Sequence, residues 1–321
     1  MPAPAPRANA ITIRSKLMLE IAAELVSGPD WGLRQAKVSL REQGADEWAL
    51  ELYGSGTMEG FDAVMKREAD LAICNPSASL TLAFRGHAPF KAPLPVRTIA
   101  IIPSHDQCVF AVRSETKLQC VEEIAERKFP LRVLLRGDPR HGLHPILDHI
   151  AAAAGFSLDE LRAWGGSTHL EGMMPLPDSA KFAAVVRGEA DAIFDEATES
   201  WVGAAVAAGL TILPLREDTL NKLEAKGFRR GVLRKALMPE LPRDISSIDF
   251  SGWPIYTHAD LSDRRVAQIC AALDARKHLM PWQGDGPMPV ERMCIDALDT
   301  PIDVPFHPAA ERYWRERGYI R

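Results

Sequence analysis

Phe61–Ser79 reads FDAVMKREADLAICNPSAS, and Phe182–Ser200, 121 positions later, reads FAAVVRGEADAIFDEATES. Phe, Ala-Val, a basic residue, Glu-Ala-Asp and a closing Ser fall at the same offsets. Each stretch reads as a helix, a tight turn at Glu-Ala-Asp and a short buried strand. A unit used twice implies two similar lobes, and small molecules usually bind in the crevice between lobes.

Working outward from these units, Ile11–Arg14 is β-prone. Ser15 caps a helix through Leu17, Leu19, Ile21, Ala22 and Leu25 that stops at Gly28-Pro29-Asp30. Ala36–Leu40 and Trp48–Tyr53 read as strands, Met58–Arg67 as a helix and Leu71–Cys74 as a strand. Val96–Ile102 and Gln107–Arg113 are β-rich and flank a turn cluster, Pro103-Ser104-His105-Asp106, as strands that carry a chain between lobes often do. Val121–Arg127 is a short helix and Leu131–Leu135 a strand. A helix starts near His144 with Pro145 at its first position. After the second unit come a helix Trp201–Ala208, a strand Leu210–Leu213, a helix Thr219–Lys226 with a helical continuation over Phe228–Leu237, and a β-prone Ser247–Thr257. Ser262–Lys277 is an amphipathic helix and Pro308–Arg317 a short one.

Strand and helix alternate from Ile11 to Leu213, which predicts an α/β fold with mainly parallel sheets. The expected division is a Pro/Ala tail at 1–10, lobe I from 11–112 with 235–321, and lobe II from 113–234.

The chain has 321 residues, enough for two α/β lobes, with 46% hydrophobic and 25% charged residues, as in soluble globular proteins. A net charge of −5 without a Lys/Arg run argues against nucleic acid or an anionic membrane as partner. The five cysteines show no CxxC spacing, so no zinc or redox site is expected, and Cys74 and Cys108 read as buried thiols. No apolar run approaches the roughly 20 residues of a membrane span. Met1–Ala10 lacks the apolar core of a secretory signal, although Ala8-Asn9-Ala10 resembles a cleavage site. The expectation is a cytoplasmic protein as written, or a periplasmic one whose signal has been removed.

At three places the residues resemble the TAXI branch of the solute-binding proteins of tripartite (TRAP) transporters. They are Gly54–Ser77, Leu131–Leu215 and the C-terminal Phe306–Gly318, FHPAAERYWRERG. The last is similar to that family's closing His-Pro-Gly-Ala followed by a Tyr-Tyr-x-Glu-x-Gly helix. The resemblance implies the type II periplasmic-binding-protein fold. It also implies closure of two lobes on a small carboxylate or amino-acid-like solute, and delivery to TRAP membrane subunits. The chain departs from that family at Arg136-Gly137-Asp138-Pro139-Arg140-His141-Gly142, where a Gly-Ser-Gly-Thr-like loop is usual.

Ligands of open α/β sheets sit at the carboxyl ends of strands, and four such ends supply candidate residues. Gly54, Ser55, Gly56 and Thr57 form a plausible anion cradle before a helix, or else a capping turn with Thr57 as N-cap. Asn75 and Ser77 are neutral hydrogen-bonders or an Asx turn. Arg136 and Arg140 suit bidentate capture of a carboxylate. His141, His144 and His149 would need Asp138, Asp148 or Asp195 to make a metal site, and no metal is expected. Asp195 and Glu196 either meet a ligand ammonium, act as a general base, or pair with Arg136 or Arg140. Trp253 can wall the cleft or lie in the core.

No nucleophile signature or cofactor fingerprint is present, and no cofactor is expected. The leading expectation is a solute-binding protein. The alternative is a cytoplasmic, cofactor-independent decarboxylase- or lyase-like enzyme using His141 with Asp195 or Glu196.

Overall fold

The computed structural model describes residues 10–27, 35–41, 50–54 and 56–321. Residues 1–9, the stop signal at Gly28–Asp30, Trp48 and Ser55 lie outside the described residues. The chain opens with helix α1 (Ala10–Ser27), strands β1 (Ala36–Leu40) and β2 (Leu50–Gly54), α2 (Thr57–Met65), β3 (Leu71–Ile73), α3 (Ser77–Arg85) and β4 (Val96–Ile102). It crosses into β5 (Gln107–Arg113), α4 (Glu123–Glu126), β6 (Arg132–Leu135), α5 (Leu143–Ala154), α6 (Leu158–Ala163), β7 (Ser167–Leu170), α7 (Ala180–Val186) and β8 (Ala192–Asp195). There follow α8 (Val202–Ala207), β9 (Leu210–Leu213), α9 (Glu217–Lys226), β10 (Arg230–Leu233) and β11 (Ile245–Asp249). The return leg is β12 (Trp253–His258), α10 (Asp263–Arg276) and α11 (Pro308–Glu316).

The two Glu-Ala-Asp units play the same structural part in two different sheets. In the first, Phe61 and Val64 of α2 are buried; in the second, Phe182 and Val185 of α7. The chain reverses through a left-handed residue in both, Arg67 (φ 63°) and Gly188 (φ 78°). The closing Asp then grips the neighbouring parallel strand at two points. Asp70 N donates to Glu51 O at 2.7 Å and its carboxylate accepts from Glu51 N at 2.7 Å. Asp191 does the same with Arg132, at 2.8 and 3.0 Å. The Asp thus sets the register of β3 on β2 and of β8 on β6.

Among the described residues, one sheet has five strands in the order β1-β2-β3-β12-β4; the other has seven, β10-β11-β5-β8-β6-β7 with β9 also on β5. Helices α2 and α3 pack one face of the first sheet, around Phe61, Leu80 and Tyr256; α10 and α11 pack the other, around Ile269, Leu273 and Trp314. The family-like C-terminus closes this lobe. His307 Nδ1 caps α11 at Ala309 N (3.2 Å), and the buried Trp314 indole donates to Ile99 O (2.8 Å).

The two-lobed α/β expectation holds, with corrections inside it. Among the described strands, the parallel pairs are β2–β3, β6–β7 and β6–β8. The strands that cross between lobes run back antiparallel, so both sheets are mixed. Strands β5 and β11 both belong to the second sheet, so the segments 103–106 and 250–252 run between the two sheets. Ile11–Arg14 is the first turn of α1, since β-branched residues disfavour helix only weakly. The helical continuation over Phe228–Leu237 is replaced by β10, whose pairing with β11 (Arg230↔Ile248) supplies a partner that local propensity does not reveal.

The two crossings are bonded to each other: Phe250 N donates to Asp106 O and Gly252 N to Ser104 O, both at 2.8 Å. Gly252 is left-handed (φ 77°), and a Cβ there would lie 2.4 Å from Ser77 Oγ. The hinge therefore needs glycine at this point. Asp106 also ties the hinge to the second lobe, accepting from Ala197 N (2.6 Å), Thr198 N (3.1 Å) and Thr198 Oγ1 (3.1 Å).

Candidate functional site

The strand ends of both lobes meet at a cleft of about 340 Å³. The first lobe contributes Gly54, Gly56 and Thr57 after β2, Ile73, Cys74 and Asn75 at the end of β3, and Trp253 at the start of β12. The second contributes Asp138, Arg140, His141 and Gly142 from the loop after β6. Two roomier spaces lie elsewhere: a groove of about 780 Å³ between α1 and β1, and one of about 440 Å³ beside α10. The second is walled mainly by aliphatic side chains. The interlobe cleft is smaller but has convergent polar groups, the mark of a ligand site.

Thr57 is not the N-cap of α2; Gly56 is. The Thr57 hydroxyl instead clamps the end of β3, donating to Asn75 O (2.9 Å) and accepting from Asn75 N (3.1 Å). That fixes the Asn75 backbone at the cleft wall, while its side-chain Oδ1 is buried with no protein partner among the described residues. Gly142 faces Asn75 from the other lobe. A Cβ on Gly142 would come within 2.7 Å of Asn75 O and 3.4 Å of the Thr57 side chain.

Arg140 spans the lobes. Its Nε lies 3.1 Å from Glu59 Oε1 and its Nη2 2.8 Å from Asp62 Oδ2, both on α2. Two further links join the lobes away from the cleft. His149 Nε2 lies 2.8 Å from Ala88 O, and Arg229 pairs with Asp303 and Asp296.

His141 is neutral. Burial first, then the charge of Arg136, pushes its pKa down to about 4. Its Nδ1 accepts from Leu143 N at 3.2 Å, which leaves the ring proton on Nε2. The cleft therefore offers a neutral donor in His141 and a cation in Arg140, with Asp138 on the same loop.

The remaining candidates lie outside the cleft wall. Ser77 is buried at the hinge beside Gly252. Arg136, Asp195 and Glu196 are buried and bonded to one another: the Arg136 guanidinium donates to both carboxylates. Lys181, which sequence reasoning missed, completes the group by donating to Asp195 Oδ2 (3.2 Å) and Met173 O (2.7 Å). Its side chain is 1% exposed and that of Asp195 0%. Arg136 and Lys181 thus both meet the Asp195 carboxylate out of water, with the Glu196 carboxyl as a further acceptor for Arg136. Burial raises the Glu196 carboxyl to about 8 against the opposing pull of Arg136, with the carboxylates of Asp106 and Asp195 adding to the rise. Of the sequence readings of Asp195 and Glu196, pairing with Arg136 is the one seen, and neither carboxylate is free for a ligand ammonium.

The three histidines have separate tasks: His144 Nε2 lies 2.9 Å from Asp138 O, and His149 faces Ala88. Among the described residues, no group of three or more His, Cys, Asp or Glu is placed to hold a metal ion. All five cysteines are buried and unpaired, and burial pushes the Cys74 and Cys108 thiols up. Among the described residues, no helix is long and apolar enough to cross a membrane.

Two α/β lobes, a double crossing between them and a polar interlobe cleft define a two-lobed α/β protein with a cleft between its lobes. The chain belongs to the NMT1-like family, whose model matches residues 52–318. A comparison with curated proteins finds no match. Among solved structures, the chain is similar to PhnD1 from Prochlorococcus marinus (MIT 9301) in complex with methylphosphonate. Identity is 12%, with 82% of this chain and 84% of that one covered and a TM-score of 0.40. It is similar to a protein from Bordetella bronchiseptica RB50 at 14% identity, covering 82% and 69%, with a TM-score of 0.39. It is also similar to the arginine-, lysine-, histidine-binding protein ArtJ from Geobacillus stearothermophilus at 9% identity, covering 73% and 77%, with a TM-score of 0.30.

Proposed function

We propose that this protein binds a small molecule in its interlobe cleft and closes both lobes over it. The observation that carries the reading is the meeting of both lobes at Asn75. Gly142 of the second lobe faces the Asn75 backbone, and His141 and Arg140 line the same cleft from that side.

The finer reading is a carboxylate or amino-acid-like solute, delivered to membrane subunits of the TRAP kind in the periplasm. It rests on Arg140. The pairs Arg140 makes with Glu59 and Asp62 are half exposed, and such pairs are worth at most about 1 kcal/mol, so a ligand carboxylate can displace them. Recruiting Arg136 in the same way would break its buried pairs with Asp195 and Glu196. Asp138, on the same loop, suits a ligand ammonium. An acid–base role for His141 with Asp195 or Glu196 has less support, because both carboxylates are held by Arg136.

The test is titration calorimetry against a library of carboxylates and amino acids, with Arg140→Ala alongside. Saturable binding without turnover is expected, weakened about tenfold or more by Arg140→Ala for carboxylates only. A library that yields no binding sinks the whole reading; equal affinity in the variant removes the carboxylate from it.

A further inference from the structure

We infer that the ligand is amphiphilic, with its polar head in the cleft and an apolar or aromatic tail in an adjoining chamber of about 230 Å³. The inference rests on the interlobe-binding reading above and adds a substrate class to it. Ile102, Pro103, Pro281 and Trp282 wall the chamber, and Ile73 and Trp253 belong to the walls of both spaces. Head and tail sites therefore meet across one indole and one isoleucine side chain.

Three observations favour a tail. Trp253 is 37% exposed, although the next four residues of its strand are buried. An indole left open at the junction of two cavities gains from being covered. The chamber walls are almost wholly hydrocarbon: Gln283 is the one amide side chain among them, and the indole N–H of Trp282 is already given to Gly286 O (3.0 Å). An ordered water needs two to four polar partners, so such a space suits carbon better than water. Its volume also exceeds the roughly 150 Å³ of an apolar cavity known to admit benzene.

The test measures affinity along straight-chain series, from acetate to octanoate and from acetamide to octanamide, in the wild type, Gln283→Trp and Trp253→Ala. Thermal unfolding confirms that each variant is folded. Affinity should rise about fourfold per methylene until the chamber is full. That gain should flatten in Gln283→Trp, which fills the chamber, and in Trp253→Ala, which removes the shared wall. If short members bind and affinity does not rise with chain length, or if the rise survives in both variants, the tail site is wrong and cleft binding stands. If no member of either series binds, the cleft reading fails and the tail site with it.

Discussion

Gly142→Ala tests whether the lobes must touch at Asn75 for ligand to be held. The backbone at this position (φ −59°, ψ −15°) suits alanine, so the substitution adds no local strain. Alanine caps a helix less well than glycine, at a cost of a few tenths to about 1 kcal/mol. It also restricts the unfolded chain, which returns about 0.4–1 kcal/mol. The two nearly cancel, and the unfolding midpoint should hardly move. The new Cβ, however, would sit 2.7 Å from Asn75 O, where ordinary contact begins at 3.4 Å. Overpacking of this kind costs about 1–3 kcal/mol, and opening the lobes relieves it. The cost therefore falls on the closed arrangement and weakens ligand binding about 5- to 150-fold. Titration calorimetry reads the affinity, and small-angle scattering should show a larger radius for the liganded variant. Wild-type affinity within about twofold, with an unchanged radius, would refute closure through this contact.

Asp195→Asn should cost about 3–5 kcal/mol in urea unfolding, because it strands Lys181 and part of Arg136 in the interior. A loss below about 1 kcal/mol would contradict the charge-compensating role given to Asp195. Stability should also fall as pH rises from about 6.5 to about 8. Glu196 titrates near 8 when folded, above its ordinary value of 4.5, so the folded chain binds the proton more tightly and loses that advantage as pH climbs. Asp249, raised by burial to about 7, slopes the same way over the lower part of that range. His141, depressed to about 4 from 6.5, contributes the opposite slope only at lower pH. Glu196→Gln should flatten the decline in denaturation curves taken across this range, and a slope equal to wild type would exclude Glu196 as its source.

Much of the fold was legible because its strands are β-prone runs bounded by turn residues. Val96–Ile102, Gln107–Arg113 and Leu210–Leu213 were read to the residue. The failures share a cause. Strand β10 exists because β11 lies beside it, and β5 joins the second sheet because β8 and β9 flank it; neither partner is visible in a local window. The exposed strand β7 and helix α3, which follows directly on the Asn75 turn, were not anticipated for the same reason. At the site, the strand-end rule located Gly54, Gly56, Thr57, Asn75, Arg140 and His141 at the cleft. It cannot tell a side chain facing a ligand from one facing a buried partner. Arg136 and Asp195 sit at equally good strand ends, but their charges are 59 positions apart and satisfy each other. Lys181 carried no signal, since a lysine on an amphipathic helix usually reads as a solvated one.

The double crossing also bears on the order in which the protein can be built as it emerges from the ribosome. The seven-stranded lobe is an uninterrupted stretch, residues 107–249, whereas the five-stranded lobe draws on both sides of it. The inserted lobe has all its strands once residue 249 has been synthesised. The other still lacks β12, which lies between β3 and β4, and Trp314, whose indole closes on Ile99 across 215 residues. Domains form as units as the chain lengthens. The lobe that starts first is therefore completed last, and its unpaired β3 and β4 edges wait for β12 while a finished neighbour stands beside them.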